Sequence, residues 1–365
     1  MLTNEKLPKW TKESTPIYDI KRSYTENLEQ GPFFDSAIPK RDISEIEVLY
    51  DFLGVQVASP LGVPAGPLLG SKWTTLAGKL GFDIVTYKTI RSRKHNCHPL
   101  PNMLYVDVDH KKKIATLRDN LPEDIAHLGV TNSFGMPSMD KDYLMEDIKK
   151  AHEGLGKNQV LVVSFVGTPS EDTDFFTDFA DAGLLAKEAG AKIVEANFSC
   201  PNVATKEGSI YKNEETVYAL GKKLKDALGD TPLIIKVGVF DDIEHMRKVF
   251  IAAARAGIDA ISGINTLSMK AITKEGKPAL DEHRKTSGIC GGPIREAGLN
   301  FVRCARKVIR EEKLKLTLIG VGGITTKEHF DAYLEAGADF VQTATGMMWD
   351  PLLAMRHHNQ KGKLV

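Results

Sequence analysis

The chain has 365 residues, of which 42% are hydrophobic and 26% charged, with 48 basic residues balancing 48 acidic ones. This zero net charge argues against a protein whose main task is to bind nucleic acid, because such domains usually carry a basic excess. No apolar run approaches the ~18 residues that a membrane-spanning helix needs, and the start of the chain, MLTNEKLPKWTKES, lacks the apolar stretch of a secretory signal. We therefore expect a cytoplasmic globular protein that does not enter membranes.

The cysteines are Cys97, Cys200, Cys290 and Cys304. They form no CxxC pair and have no spacing suited to zinc or an iron–sulfur cluster, so we predict no metal site. In a cytoplasmic protein they are expected to be reduced thiols.

Residues 1–45 differ from the rest of the chain because they mix charges with several prolines and show no sustained period. We predict an amino-terminal arm over 1–45, either wrapping the surface or partly ordered, and one catalytic domain over 46–365. Two short alternating stretches, 47–52 and 55–58, are separated by Gly54 and predict a hairpin.

From Pro60 onward the chain repeats one unit, a short apolar run, a polar or glycine-rich turn and an amphipathic helix. The eight runs cover 60–65, 82–88, 160–166, 192–198, 232–237, 258–264, 316–320 and 338–344. Continuous rather than alternating runs are typical of parallel strands covered on both faces. Eight such units predict a (β/α)8 TIM barrel, an α/β fold, with the hairpin at its bottom and insertions in the βα loops at 91–137 and 267–290. An open, doubly wound sheet is the structural alternative, which the absence of an early GxGxxG disfavours.

In a barrel, chemistry is expected at the carboxyl ends of the strands. Small or polar residues follow nearly every predicted strand. They include Ala65 and Gly66, Lys88 and Thr89, Ser164, Asn197, Lys236, Asn265 and Thr266, Gly322 and Gly323, and Ala344 and Thr345. Backbone N–H groups of Gly322 and Gly323, near a helix start at about Thr325, suit a phosphate, although such a pair can also form a simple turn.

Lys88 and Lys236 would each carry an ammonium into the barrel mouth, which is costly without an anionic partner. That partner is either an anionic ligand or a nearby acid such as Glu195, unless the amine reaches solvent. Asn132, Asn197, Asn202 and Asn265 offer paired donors and acceptors that suit a ring with amide groups. Cys200, in a turn stiffened by Pro201, can act as a general base or acid, since a thiol has a reference pKa of ~8.5.

The segment Asn197-Phe198-Ser199-Cys200-Pro201-Asn202-Val203 resembles the NxSCPNV signature of class 1 dihydroorotate dehydrogenases. The segment Thr131-Asn132-Ser133-Phe134-Gly135-Met136-Pro137 is similar to the substrate loop of that family. Lys88, Lys236, Asn265 and the glycines at 291, 322 and 323 follow in the family's order, and the resemblance spans about 50–350. The first 45 residues have no counterpart in it.

The resemblance implies a TIM-barrel flavoprotein that binds FMN and oxidises (S)-dihydroorotate to orotate in pyrimidine biosynthesis. In the family's mechanism a base removes a proton from C5 of the dihydropyrimidine while C6 delivers hydride to flavin N5. Cys200 matches that base. Class 2 members instead use serine and carry a membrane-associating segment, for which the arm here is too polar.

The resemblance also implies the binding residues. The predicted substrate-binding residues are Lys88, Asn132, Phe134, Gly135, Met136, Asn197, Asn202, Asn265 and Thr266. The predicted cofactor-binding residues are Ala65, Gly66, Lys88, Thr89, Ser164, Asn197, Lys236, Gly291, Gly322, Gly323, Ala344 and Thr345. Lys236 would neutralise negative charge on the reduced flavin.

Some positions depart from the family's pattern. Ser164 replaces a frequent asparagine, and the 267–290 region is more similar to the NAD-linked subclass and to dihydropyrimidine dehydrogenases. The NAD-linked subclass implies an electron-transfer partner subunit, and family analogy implies a homodimer. We expect the stretch 91–98 to be a solvated part of its insertion, the alternative being a role in partner or substrate recruitment.

Two other functions stay open at this point. One is a related flavin barrel that acts on another dihydropyrimidine or an ene-type compound. The other is a barrel that binds FMN or a metabolite without catalysis, against which the presence of Cys200, Lys88 and Lys236 counts. A tRNA-dihydrouridine reductase is disfavoured by the neutral charge and by the lack of a basic carboxyl-terminal domain.

Overall fold

The computed structural model describes residues 7–13, 15–41, 49–199 and 209–360. Its strands in chain order are β1 (Tyr50–Phe52), β2 (Val55–Val57), β3 (Leu61–Val63), β4 (Ile84–Ile90), β5 (Met103–Asp109), β6 (Ile114–Leu117), β7 (Gly129–Asn132), β8 (Val160–Phe165), β9 (Ile193–Asn197), β10 (Leu233–Val237), β11 (Ala260–Gly263), β12 (Leu267–Ile272), β13 (Thr286–Gly291), β14 (Thr317–Val321) and β15 (Phe340–Gln342).

The helices are α1 (Lys9–Glu13), α2 (Tyr24–Gln30), α3 (Ser71–Lys79), α4 (Lys141–Glu153), α5 (Phe175–Glu188), α6 (Glu214–Leu228), α7 (Ile243–Arg255), α8 (Arg295–Glu311), α9 (Lys327–Glu335), α10 (Thr345–Trp349) and α11 (Leu353–Gln360). Side chains of Asp140, Asp174, Asn213 and Asp242 cap the starts of α4 to α7 by accepting a backbone N–H of the first turn. These caps satisfy N–H groups that a helix start otherwise leaves free.

A closed parallel barrel forms the centre of the part of the chain that the structure describes, in the order β3, β4, β8, β9, β10, β11, β14 and β15. Each of these strands lies within or overlaps one of the eight apolar runs identified in the sequence. The predicted TIM barrel is therefore confirmed, and the open-sheet alternative is wrong.

The predicted hairpin is confirmed as β1 and β2, which pair antiparallel. Its side chains Phe52 and Val57 are fully buried and pack with the first interior residues of the barrel strands, including Ile84 and Ile193. The Phe52 ring lies 4.8 Å from that of Phe340, edge to face. The hairpin thus closes the amino-terminal end of the barrel with apolar side chains.

Nearer the carboxyl rim, the barrel interior becomes polar. Thr86, Glu195, Ser262 and Gln342 are buried, and the strand register places them on four alternate strands, as expected for one interior layer. Gln342 Nε2 donates to Thr86 Oγ1 at 3.2 Å. Glu195 Oε2 and Gln342 Oε1 are buried and accept no hydrogen bond from the described residues. This layer forms the polar floor of the barrel mouth.

The two predicted insertions pair with each other, which the sequence did not indicate. Strands β5, β6 and β7 from the first and β12 and β13 from the second close into a smaller barrel. Within it, β13 pairs with β7, so that Gly288 lies opposite Asn132 and Gly291 opposite Gly129. The second sheet therefore joins candidate substrate and cofactor residues.

The described part of the arm is more deeply packed than its composition suggests. Ile17, Tyr18, Tyr24 and Leu28 are buried in the main hydrophobic cluster. Farther along, Arg41 forms a bidentate ion pair with the buried Asp83, with both N···O distances at 2.9 Å. The proposed boundary at 45 and 46 falls outside the described residues. Within the described ranges, no helix is both long enough and apolar enough to cross a membrane.

Candidate active site

The candidate residues gather at the carboxyl rim of the large barrel, as predicted for a TIM barrel. Lys88 and Thr89 lie at the end of β4, Asn197 ends β9, and Lys236 lies one residue before the end of β10. Ala65 is buried just beyond β3, while Gly66 is exposed and has open space where a Cβ would project. A flat ligand could therefore approach the backbone at Gly66. Cys200 and Asn202 lie outside the described residues.

A cluster of amide and hydroxyl groups links the ends of β9 and β11. Asn197 Oδ1 accepts hydrogen bonds from the backbone N–H and the hydroxyl of Ser199, and Asn265 Nδ2 donates to the same hydroxyl. On its other side, Asn197 Nδ2 donates to Met136 Sδ at 3.5 Å. Ser199 thus links Asn197 to Asn265, and Asn197 also contacts Met136 of the loop. All three linked residues were predicted to bind substrate. Ser199, which mediates this contact, was not among the predicted binding residues.

The second candidate cluster surrounds the buried amine of Lys236. Its Nζ donates to Ser262 Oγ at 3.3 Å. Burial lowers the pKa of Lys236, and the charge of Glu195 on the neighbouring strand opposes this shift. The two side chains form no ion pair, so in the described part of the chain the amine has only a hydroxyl partner. Across the mouth, Thr89 Oγ1 and Ser164 Oγ, both buried, are 3.0 Å apart.

Lys88 is a second amine at the rim. Burial lowers its pKa to about 8, with nearby Arg91 adding to the shift and Cys97 opposing it. Among the described residues, Lys88 forms no ion pair. A half-buried amine gains more than an exposed one from an anionic ligand, because burial has removed part of its hydration.

Within the predicted substrate loop, 131–137, the carbonyl groups and the N–H groups of the four central residues, 133–136, differ in their hydrogen bonding. All four carbonyls accept hydrogen bonds: Ser133 from Asn102 and Arg284, Phe134 from the backbone of His98, and Gly135 and Met136 from Arg91. In contrast, the N–H groups of Phe134, Gly135 and Met136 have no acceptor among the described residues. Three consecutive free donors form a site suited to an anion.

Two arginines and an asparagine that hold this loop were missed at the sequence level. Arg91 is 4% exposed, so the interpretation of 91–98 as solvated is wrong for this residue, although Arg93, Lys94 and Asn96 are exposed. Arg284 reaches the loop from the second insertion and pairs with Asp281 at 2.6 Å. No motif marks these residues, because the loop carbonyls that they hold are distant from them in sequence.

The loop also contacts the arm. The Phe134 ring lies 6.1 Å from the Tyr18 ring and 6.3 Å from the Tyr24 ring, both edge to face. Tyr18 in turn packs against Trp73. The arm therefore supports the outer side of the substrate loop.

The glycine-rich end of β14 and the start of α10 form the candidate phosphate site. Gly322 and Gly323 adopt φ of +127° and +69°. The N–H groups of Gly322, Gly323, Ala344 and Thr345 have no acceptor in the described part of the chain, although all but Ala344 are buried residues. Buried N–H groups without partners are rare in proteins, which points to an anionic ligand here.

The neighbouring helix contributes less to this site than expected. It begins at Lys327 rather than near Thr325, and His329 Nδ1 accepts the N–H groups of Thr325 and Thr326. Burial and the charge of Arg295 lower the pKa of His329 to about 4, so its ring is neutral and can accept. The helix start is thus capped by its own side chain, and the free donors are those of the glycines.

Strand β13 brings the phosphate and substrate sides together. Asn132 Nδ2 donates to Cys290 Sγ at 3.7 Å, and the Cys290 thiol also contacts Thr345. Gly291 adopts φ of +87°, and Thr345 Cγ2 lies 3.3 Å from the position of a Cβ there. Thr266 packs against Gly288 of the same strand. The rim thus brings together the loop N–H groups, the amide cluster of Asn197 and Asn265, and the N–H groups of the glycine turn.

Comparisons with known proteins agree on one family. A family model described as dihydroorotate dehydrogenase matches residues 48–360. A dihydroorotate dehydrogenase of Dictyostelium discoideum is 49% identical over 358 residues, which cover 94% of this chain and 97% of that protein. The match covers 94% of the chain, whereas residues 1–45 make up more than a tenth of it. The match must therefore include part of the arm. The arm therefore has a counterpart in a relative, contrary to the expectation from the sequence.

More distant relatives are named as NAD-linked enzymes. The catalytic subunit of dihydroorotate dehydrogenase B (NAD(+)) from Thermococcus kodakarensis is 34% identical over 220 residues, covering 60% of this chain and 66% of that protein. The subunit of the same name from Caldicellulosiruptor saccharolyticus is 26% identical over 299 residues, covering 81% of this chain and 86% of that protein.

Proposed function

Because the chain belongs to the dihydroorotate dehydrogenase family, we propose that it oxidises (S)-dihydroorotate to orotate in pyrimidine biosynthesis. It is an oxidoreductase that acts on a CH–CH group. The family is flavin-dependent, and we propose FMN as the flavin of this chain.

The observation that carries the choice of substrate is that the loop's N–H groups have no acceptor among the described residues. Three free donors at 134–136, together with the Lys88 amine, suit a carboxylate on a small ring. Lys88 lies on β4, and Arg91, which binds the loop carbonyls, directly follows the last residue of that strand. Dihydropyrimidines without a carboxylate would leave this positive site without a partner, so dihydroorotate fits better than uracil or thymine derivatives.

The amide cluster would hold the ring of the substrate. Asn197 and Asn265 each offer a donor and an acceptor, as a cyclic imide does, and Ser199 fixes their relative orientation. The orientation of the ring then places its C5 and C6 for reaction. Asn202 is proposed to complete the cluster from the segment that follows.

A second set of residues at the rim fits FMN. The free donors at 322–323 and 344–345, with Gly291 beside them, would bind its phosphate, and Ala65, Gly66, Thr89 and Ser164 would line its ring system. The buried amine of Lys236, whose one hydrogen-bond partner among the described residues is Ser262, would meet the negative charge that the ring gains on reduction. When bound, the flavin supplies the acceptor for the hydride from C6 of the substrate.

Cys200 is proposed as the general base that removes the proton from C5. Its position follows β9 by three residues, directly after the Asn197–Ser199 contact. This position in the sequence, just after the strand that carries Asn197, supports a role beside the ring that the amide cluster would hold. A thiol is a usable base near neutral pH once its proton has been lost to solvent.

The test is an anaerobic titration of the purified protein. We expect a yellow flavin spectrum that bleaches on addition of dihydroorotate, with one equivalent of orotate formed per flavin. Dihydrouracil at the same concentration serves as the control that lacks the carboxylate. A flavin that stays oxidised with dihydroorotate but bleaches with dihydrouracil would contradict the proposed substrate.

The homodimer, the electron-transfer partner subunit and the cytoplasmic location stay predictions. Size-exclusion chromatography with light scattering tests the first. For the second, reoxidation of the bleached protein by fumarate, by a quinone and by NAD with and without added partner fractions distinguishes the acceptors.

A further inference from the structure

Arg91 contacts two separate segments at the rim, 135–138 and 167–168. Its backbone N–H donates to Ser138 Oγ at 3.0 Å, and its Nε donates to Met136 O at 3.0 Å. Its Nη2 donates to Gly135 O at 3.4 Å, and its Nη1 donates to Thr168 Oγ1 at 2.8 Å. The guanidinium therefore links the substrate loop to the segment that follows β8.

The loop adopts a backbone conformation that needs external support. Gly135 and Met136 have φ of +76° and +50°, so both are in the left-handed region. That region is favourable for glycine but unfavourable for methionine. The two carbonyls of this turn are those that the planar fork of Arg91 binds, which offsets the strain at Met136.

The direction of the carbonyls determines the direction of the donors. In a trans peptide the C=O and the following N–H point to opposite sides. When Arg91 holds Gly135 O, it directs the N–H of Met136 away from the guanidinium. Met136 also places its Sδ against Asn197 of the amide cluster, so that side of the turn faces the proposed substrate site.

We propose that Arg91 is a positioning residue that fixes the turn at Gly135 and Met136 and so directs the Met136 N–H toward the carboxylate of the ligand. It touches neither substrate nor flavin and acts through Gly135 and Met136. This inference rests on the proposed function, because it assigns the loop to carboxylate recognition. It identifies Arg91, which lies in no recognised motif, as a residue that determines the preference for a ligand with a carboxylate.

The test uses the flavin-loaded protein and the variants Arg91→Lys and Arg91→Gln. Neither side chain can bind two neighbouring carbonyls with a planar fork. We expect normal flavin content, a Kd for orotate raised about tenfold or more in calorimetry, and a similar rise in the KM for dihydroorotate with a smaller change in kcat. Thr168→Val removes one partner of Arg91 without touching the loop, and should raise the orotate Kd by a smaller factor in the same direction.

The matched control is Arg93→Gln. Arg93 lies two residues away, its side chain is 44% exposed, and it also donates to residue 168. It should bind orotate like the unaltered protein. A second readout is the binding of uracil, which has no carboxylate. The preference for orotate over uracil should shrink in the Arg91 variants, whereas a general loss of structure would weaken both ligands.

Orotate binding, together with hydrogen exchange of the ligand-free protein, distinguishes a failure of this inference from a failure of the proposed function. If the unaltered protein binds orotate and the Arg91 variants bind it equally well, the inference is wrong and the proposed function stands. If the unaltered protein does not bind orotate, the proposed function fails. The inference about the loop is then supported by faster amide exchange at 134–136 in the Arg91 variants but not in Arg93→Gln, and overturned by unchanged exchange.

Discussion

Glu195 and Lys236 lie on neighbouring strands inside the barrel, and their register places the carboxylate one layer below the amine. They interact through charge without forming an ion pair, and Glu195 Oε2 has no partner among the described residues. Among the described residues, the amine therefore has the Ser262 hydroxyl as its hydrogen-bond partner and no carboxylate. This arrangement suits an amine that must respond to a change of charge on a ligand.

Replacing Lys236 with Met tests this role. We expect FMN affinity to fall tenfold or more, since a hydrogen bond to a charged group contributes about 1.5–3 kcal/mol. Flavin fluorescence during titration of the apoprotein measures this. The free energy of unfolding of the apoprotein should not decrease, because a buried amine with one hydroxyl partner is replaced by an apolar side chain. An unaltered flavin affinity and reduction rate would remove Lys236 from the flavin site.

Orotate binding should depend on pH through Lys88. A lysine is charged below its pKa, and burial lowers the pKa of Lys88 to about 8. As the pH rises through about 8, the free protein loses this charge and orotate affinity should fall. Bound orotate stabilises the charged amine, so binding near pH 9 should take up protons, which calorimetry in buffers of different ionisation enthalpy detects.

The control for this pH effect is Lys88→Met, which should bind orotate weakly and with no fall above pH 8. Binding is the better measurement than turnover, since a base at Cys200 would titrate in the opposite sense. Orotate affinity that stays constant from pH 7 to 10 would exclude Lys88 from the carboxylate site.

Cys200→Ala should slow flavin reduction by dihydroorotate by at least a hundredfold, because general base catalysis contributes about 10²–10⁴. Flavin content and orotate affinity should remain. Stopped-flow absorbance under anaerobic conditions is the measurement. Cys304→Ala is the matched control, since Cys304 is a half-buried thiol on α8. Equal rates in the two variants would mean that another group removes the proton.

The arm should matter for both stability and substrate binding. Tyr18→Ala removes a buried ring that contacts Trp73 and Phe134, so the free energy of unfolding should fall by about 3–5 kcal/mol, as for other large-to-small core changes. The KM for dihydroorotate should rise because Phe134 loses its support. Tyr218→Ala, at an exposed tyrosine, should change neither. A Tyr18 variant with normal stability would show that the arm packs weakly.

The large barrel could be predicted because each strand is a continuous apolar run, and such runs are local signals. The hairpin was predictable for the same reason, from Gly54 between two alternating stretches. In contrast, the smaller sheet depends on pairing between β7 and β13, which are more than 150 residues apart in the chain. No local pattern in either insertion indicates its partner.

The candidate site likewise contains residues that the sequence could identify and residues that it could not. Lys88, Asn197 and Lys236 could be identified because they follow recognisable strands or motifs. Arg91 and Arg284 could not, since a charged residue in an insertion is usually exposed and their acceptors are backbone carbonyls. Ser199 was visible within the motif, but its role as the link between two asparagines depends on how β9 and β11 lie in the barrel.

The Phe52 ring packs on Phe340 and closes the amino-terminal end of the barrel with apolar side chains. A small polar molecule therefore has no route along the barrel axis from that end. Entry of substrate and release of product are thus confined to the loops of the carboxyl rim.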